Sequence, residues 1–190
     1  MNRGIIITIS GRPGSGKSVV AKQLAKKLKL KHYSTGTFMR AMAKQRGMTL
    51  MQLTREAKED GGVIDRAIDD YQKQLGKTKK SFVIDGRLGF HFIPQSIKIF
   101  LEVDPNVAAK RIFKQQRRGV ETITTMYGAQ RELKKRFALE RARYKKYYGI
   151  DYMNKKNYDR VIDTTKSTIQ GVVKRILKFL KGKGKRREVL

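Results

Sequence analysis

The sequence predicts an α/β fold in which a five-stranded parallel sheet carries helices on both faces. Three observations support that expectation. Apolar, β-branched runs recur at 4–10 (GIIITIS), 81–85 (SFVID) and 97–103 (IKIFLEV) without polar alternation, as strands buried on both faces do. Stretches of helical period separate them, so strand and helix alternate along the chain. A glycine-rich loop joins the first strand to the first helix, at the carboxyl edge where open sheets of this kind bind ligands.

The first helix starts at Lys17, where Val20, Leu24 and Leu28 fall four apart. LKHYS (30–34) reads as the second strand and leads into TGTFMRAMAKQRG, a helix that Gly47 stops. Two further helical patterns, TLMQLTREAKED and VIDRAIDDYQKQL, are divided by Gly61-Gly62, so residues 35–76 form a helical segment with no strand inside it, read as the acceptor-binding segment and as a mobile flap over the cleft. After SFVID and IKIFLEV, Asp104-Pro105 opens the helix VAAKRIFKQQRR. Residues 117–130 (RRGVETITTMYGAQ) interrupt the pattern with glycines and threonines and read as a mobile lid. A long helix, the strand RVIDT (160–164) and the helix TIQGVVKRILKFL complete a single domain, residues 1–180, and KGKGKRREVL (181–190) reads as a frayed basic tail.

A chain of 190 residues buries a core without staples. It has no cysteine, which excludes disulfides, thiolate metal sites and cysteine nucleophiles. No apolar run approaches membrane-spanning length, and the expected state is a cytoplasmic monomer without a membrane partner. Charge is the unusual feature: 45 Lys and Arg against 16 Asp and Glu give a formal +29. Two readings stay open. The excess either attracts polyanions, giving weak non-specific RNA binding, or reflects lysines dispersed over every helix from Lys22 to Lys185.

Residues 11–18, GRPGSGKS, fit G-x-x-x-x-G-K-[ST] and stand between a strand and a helix, the context that makes this pattern specific. Its backbone N–H groups surround the phosphates of a nucleoside triphosphate, Lys17 reaches the outer phosphates as a catalytic cation, and the Ser18 hydroxyl ligates Mg²⁺. Gly11, Arg12, Pro13, Gly14, Ser15, Gly16, Lys17, Ser18 and Val19 are thus the candidate binding residues for ATP, with Mg²⁺ as the metal. The loop leaves the phosphate acceptor unspecified.

Transfer between two nucleotides gathers negative charge, which arginines clamp best because the guanidinium fork matches phosphate oxygens. Arg40 lies about a turn beyond Ser34-Thr35-Gly36, and Arg87 follows Asp85-Gly86 at a strand end, where the glycine permits close approach. Arg136, Glu140 and Arg143, spaced i, i+4, i+7, share a helix face beside the apolar stripe Leu133, Phe137, Tyr144 and Tyr148, as at the rim of a cleft. The ordinary alternatives are surface arginines and an exposed salt-bridge face. Asp85 either orders the water shell of Mg²⁺ or caps a turn. Of Arg111, Arg117 and Arg118, which flank the lid, Arg117 is favoured to meet ATP. His32 and His91 read as packing residues, since transfer by positioning needs no histidine.

These stretches carry a resemblance. GRPGSGKS, HYSTGTFMRAMAKQRGMTL, GVIDRAIDDYQ, VIDGRLGF, IKIFLEVDPNVAAKRI, and ERARYKKYYGID with YDRVIDTT resemble the nucleoside monophosphate kinases, most closely the archaeal-type cytidylate kinases. The resemblance implies a P-loop kinase fold and the phosphorylation of CMP, and of dCMP, by ATP. Adenylate or uridylate kinase activity is the nearest enzyme alternative, and a nucleotide-dependent RNA-binding factor the alternative from another class. It also implies that Thr35 and Arg40 meet the acceptor, Arg87 holds its phosphate, Arg136 and Arg143 clamp the transferring group, and Glu140 lies near the acceptor ribose. Asp85 counts here among the substrate-side residues. Asp65 and Asp69 fall over the acceptor base, or are solvated helix carboxylates. Two departures stand out: Thr37 replaces a frequent acidic residue after S-[TA]-G, and Leu88 follows D-G-R where bacterial cytidylate kinases place an Asp that helps read the base.

Overall fold

β1 (Ile6–Gly11), the first strand of the computed structural model, forms the middle of the sheet and is buried along its whole length. The structure describes residues 4–78, 80–116 and 125–187. β2 (Lys31–Ser34), β3 (Phe82–Asp85), β4 (Ile97–Glu102) and β5 (Arg160–Asp163) complete a parallel sheet of order β2-β3-β1-β4-β5. The absence of alternation in β1 has a direct cause. Ile7 and Ile9 face α1 (Lys17–Leu28) and α8 (Ile169–Arg187), while Ile6 faces the opposite layer with Phe82, Ile84 and Ile93. Leu24 of α1 and Ile176 of α8 are fully buried, and each contributes about 1.5–3 kcal/mol relative to exposure.

The helical segment is three helices, α2 (Thr35–Gln45), α3 (Leu50–Glu59) and α4 (Val63–Lys77). They share a core of their own, Ala43, Leu53, Ala57, Ile64 and Ile68, lined by Phe38, Met39 and Met42. Thr49 starts α3 with a reciprocal capping box to Gln52, and Gly62, with φ +86°, starts α4. α6 (Pro105–Gln116) and α7 (Met126–Tyr148) follow β4. Among the described helices none is long and apolar enough to cross a membrane.

Three boundaries differ from the sequence expectation. A single turn, α5 (Gly89–Phe92), follows β3 and is too short to leave a periodic signal. Residues 126–130 are not lid but the first turn of α7, because the Thr125 hydroxyl caps it by accepting from Gly128 N at 3.0 Å; residues 117–124 lie outside the described residues. The basic tail also continues α8 to Arg187 instead of fraying at 180. Extending an existing helix adds a hydrogen bond per residue, which offsets the ~1 kcal/mol cost of a glycine such as Gly182, and Lys183 is held to Asp159 at 2.6 Å.

Candidate active site

The glycine loop leaves β1 at the carboxyl edge of the sheet and enters α1 through Gly16, so the first free N–H groups of the helix face the phosphate position. A side chain at Gly14 is impossible here: its backbone has φ +76°, and a Cβ would lie 2.8 Å from Ala108. Lys17 is nearly buried, and its Nζ donates to Arg12 O at 2.8 Å, folding the cation over the loop. Gly14 through Val19 line a cleft of about 630 Å³ together with Arg111, Thr164, Ser167 and Thr168. Gly11, Arg12 and Pro13 stand beside it, with the Arg12 guanidinium 5.1 Å above the Phe137 ring.

Asp85 ends β3 beside the loop and is buried. Its Oδ2 accepts from Ser18 Oγ at 2.7 Å and Ser34 Oγ at 3.2 Å, and its Oδ1 lies 2.7 Å from His32 Nε2. The carboxylate therefore faces the donor loop and does not line the acceptor pocket. A hydroxyl beside a buried carboxylate is a hard-oxygen set that suits Mg²⁺. Among the described residues no cluster of three or more His, Cys, Asp and Glu could hold a metal alone, so the ion fits here as one that keeps water and nucleotide oxygens.

On the other side of Asp85 the chain builds a second pocket. Thr35, Gly36 and Met39 of α2, Asp65, Ile68, Asp69 and Gln72 of α4, Arg87 and Leu88 after β3, and Glu140 and Tyr144 of α7 surround a cavity of about 40 Å³. Gly86 makes this convergence possible, because a Cβ there would lie 2.6 Å from Thr35 Oγ1. Arg87 Nε and Nη2 donate to the two Glu140 oxygens at 2.8 and 3.1 Å. Burial opposes the Arg87 charge, yet the Glu140 carboxylate more than offsets it, so the guanidinium is held more firmly protonated than usual. Arg143 Nε lies 3.1 Å from Asp65 Oδ2, but off the hydrogen-bonding line, leaving both atoms without a formal hydrogen bond. Burial still raises the Asp65 carboxyl, against the pull of Arg143.

Glu140 and Arg143 are only 5 % and 4 % exposed, which rules out the surface salt-bridge face; Glu140 lines the pocket, and Arg143 is buried behind it against Asp65. Arg40 remains exposed, donating to Thr37 Oγ1 at 3.0 Å beside Gly36. Arg136 lies on α7, but its side chain, like Arg117 and Arg118, falls outside the described residues. Arg111, weighed with Arg117 and Arg118 as a residue that meets ATP, is a brace, donating to Thr164 O at 2.7 Å and Thr165 O at 3.2 Å beside the loop. Two further groups were not foreseen as functional. Thr164, Ser167 and Thr168 line the donor cleft, a place signalled only by TTKST directly after a strand. His32, read as packing, is held on Asp85; its place at a strand end, two residues before Ser34, was the available signal.

Residues 6–166 match the cytidylate kinase-like family. The cytidylate kinase of Archaeoglobus fulgidus is 37% identical over 178 residues, covering 93% of this chain and 95% of that protein. The cytidylate kinase of Methanocella arvoryzae is 40% identical over 176 residues, covering 93% and 97%. The crystal structure of shikimate kinase from Bacteroides thetaiotaomicron superposes with a TM-score of 0.60 at 18% identity, covering 93% of this chain and 98% of that one, which supports the P-loop kinase fold. With a matched family spanning most of the chain and relatives of this identity and coverage, the chain belongs to the cytidylate kinase-like family.

Proposed function

We propose that the chain transfers the terminal phosphoryl group of ATP to CMP and to dCMP, giving ADP and the cytidine diphosphate. The observation that carries this reading is the pairing of two sites across Asp85: a phosphate loop on one side, and on the other a pocket lined by Arg87, with Arg143 buried behind its wall against Asp65. The names of the relatives support the nucleotide.

In this reading an oxygen of the acceptor phosphate attacks the terminal phosphorus as the bond to the ADP oxygen breaks. No protein nucleophile is required, because that phosphate oxygen is competent at neutral pH. Lys17 and the loop amides hold the donor phosphates. Arg87 and Arg143 balance the acceptor and transferring charge, exchanging part of their contact with Glu140 and Asp65 for phosphate oxygens. Mg²⁺, held through Ser18 and through water ordered by Asp85, would supply charge neutralisation on the outer phosphates. The Arg87–Glu140 and Arg143–Asp65 pairs and the Asp69–Tyr148 hydrogen bond tie α4 and the end of β3 to α7, so the acceptor enters as these contacts loosen. The test is ADP release from ATP and Mg²⁺ across CMP, dCMP, UMP, AMP and GMP. CMP and dCMP are expected to be used best, and turnover of none of the five would end the reading.

A further inference from the structure

The acceptor pocket contains two hydrogen-bond acceptors that take neither a hydrogen bond nor an ion pair among the described residues. α4 turns Asp65, Asp69 and Gln72 into the pocket, and all three are buried. Asp65 is engaged by Arg143. Asp69 Oδ2 accepts from Tyr148 OH at 2.6 Å, while Oδ1 takes no hydrogen bond among the described residues. Gln72 Nε2 donates to Ile68 O at 3.3 Å, and this fixes the amide, since the reversed orientation would set two oxygens against each other. Its Oε1 is consequently buried with no partner. Such an orphan costs about 1–3 kcal/mol and is retained where something else satisfies it.

Asp69 and Gln72 are three residues apart on one face of α4, so their free oxygens belong to the same patch of pocket wall. Met39, Ile68 and Leu88 around them are apolar and add no donor. A ring edge that suits this wall presents hydrogens. The 4-amino group of cytosine offers two N–H donors from one nitrogen. Uracil offers a carbonyl at the same place, whose lone pairs would meet a carboxylate and an amide oxygen.

We propose that Asp69 and Gln72 read the 4-amino group of the acceptor base and thereby exclude UMP. The proposal rests on the pocket being the monophosphate site, as argued above, and adds the residues that determine its specificity.

The experiment measures kcat/KM of the full chain with ATP and three acceptors: CMP, UMP, and the ribonucleotide of pyrimidin-2-one, which is CMP without its amino group. Wild type is expected to favour CMP over each of the others by about 100-fold or more, since a site built around a polar group rejects analogues lacking it. Asp69→Asn places an amide donor opposite the uracil carbonyl, and Gln72→Met removes an acceptor at similar volume. Each should narrow the CMP:UMP ratio at least about tenfold, with KM for ATP unchanged. Equal use of CMP and the pyrimidin-2-one nucleotide by wild type overturns the proposal without any variant having to fold. Folded variants that retain the wild-type ratio overturn it as well. If wild type phosphorylates no monophosphate at all, the acceptor reading itself fails, an outcome distinct from loss of base discrimination alone.

Discussion

The two halves of the candidate site are built in opposite ways. The donor half is built around nine consecutive residues, 11–19, that run from the end of the central strand into α1, and opens onto a cleft of about 630 Å³. The acceptor half draws on α2, α4, the end of β3 and α7, leaves a cavity of about 40 Å³, and has Arg87 and the neighbouring Arg143 already paired with its own carboxylates. On the proposed function, the donor half is ready for its ligand, whereas the acceptor half has to trade internal ion pairs for phosphate. Asp85 joins them. One of its oxygens receives the hydroxyl of Ser18 from the loop and that of Ser34, which also caps α2 by accepting from Thr37 N.

The largest effect should come from the preformed half. Lys17→Ala is expected to lower kcat by about 10²–10³-fold or more, since a cation aimed at developing charge in a water-poor site is worth several kcal/mol. Its melting temperature should stay close to wild type, as Nζ has a backbone carbonyl partner that water can replace. Steady-state rates and a thermal melt check both, and near-normal turnover would remove the loop from the mechanism.

The acceptor half should answer differently, with stability and activity failing together and then separating. Arg87→Met leaves Glu140 charged and buried, so it should cost about 3–5 kcal/mol of stability as well as acceptor use. Adding Glu140→Leu should restore most of that stability and none of the activity, while ATP affinity stays near wild type throughout. Denaturation curves and acceptor and ATP titrations of the two variants decide it. Equal weakening of ATP binding would put Arg87 on the donor side.

The joint between the halves predicts a smaller change. His32→Ala frees Asp85 Oδ1, and as a positioning defect it should lower kcat by about tenfold and raise the Mg²⁺ concentration needed for half-maximal rate. His32→Asn should recover part of both. The metal dependence separates this from simple loosening of β2, which would lower the melting temperature without moving the Mg²⁺ requirement. Manganese binding to the ATP complex, followed by its electron paramagnetic resonance signal, gives a readout independent of turnover.

How far these halves were legible in the sequence follows from how they are built. Strand, glycine loop and helix are local, so GIIITIS followed by GRPGSGKS was enough to place Lys17 and Ser18. The arginines were legible only as spacing: Arg136, Glu140 and Arg143 fit both a cleft and an exposed face until burial decided for Glu140 and Arg143. Partners were not legible at all. Nothing in a linear pattern says that Glu140 grips Arg87, 53 residues away in sequence, or that His32 meets Asp85, because such pairs are fixed by the sheet order. The helical continuation past 180 escaped because glycine and lysine composition argues against helix locally, whereas an existing helix propagates cheaply.

A stability measurement sharpens the cost of the acceptor wall. Burial pushes the Asp69 carboxyl up to about 6, against the Tyr148 hydrogen bond and the attraction of Lys73, with Asp65 and Asp70 adding to the rise. The folded chain therefore keeps this proton up to about pH 6, while the unfolded chain releases it near 3.8. Between those values the folded state binds more protons, so this group's contribution to stability falls as pH rises through the window and stays low above it. Asp69→Asn removes the penalty. It should melt about 2–4 °C above wild type at pH 7.5 and show no advantage near pH 4, measured on the ligand-free chain. An Asn variant less stable at pH 7.5 would mean that the carboxylate is better satisfied than its free oxygen implies.

The smallest expected effect lies outside both halves. Of residues 181–190, the described ones, 181–187, end α8 and line neither the donor cleft nor the acceptor pocket, and the anchor found there is the exposed Lys183–Asp159 pair. Exposed pairs contribute about 0–1 kcal/mol, so deleting these residues should leave CMP phosphorylation unchanged and lower stability by no more than that. Their charges belong to a different property. Lys181, Lys183, Lys185, Arg186 and Arg187 release counterions if they meet a polyanion, so we propose that the full chain binds RNA weakly, without sequence preference, and less tightly as salt rises. Deletion should make the slope of log affinity against log salt shallower by a few units at most, because the rest of a +29 chain keeps its lysines. Identical slopes would assign the basic terminus to solvated surface. A loss of turnover would mean instead that the end of α8 supports the donor cleft, whose wall includes Ile169, Gln170 and Val172 from the start of the same helix.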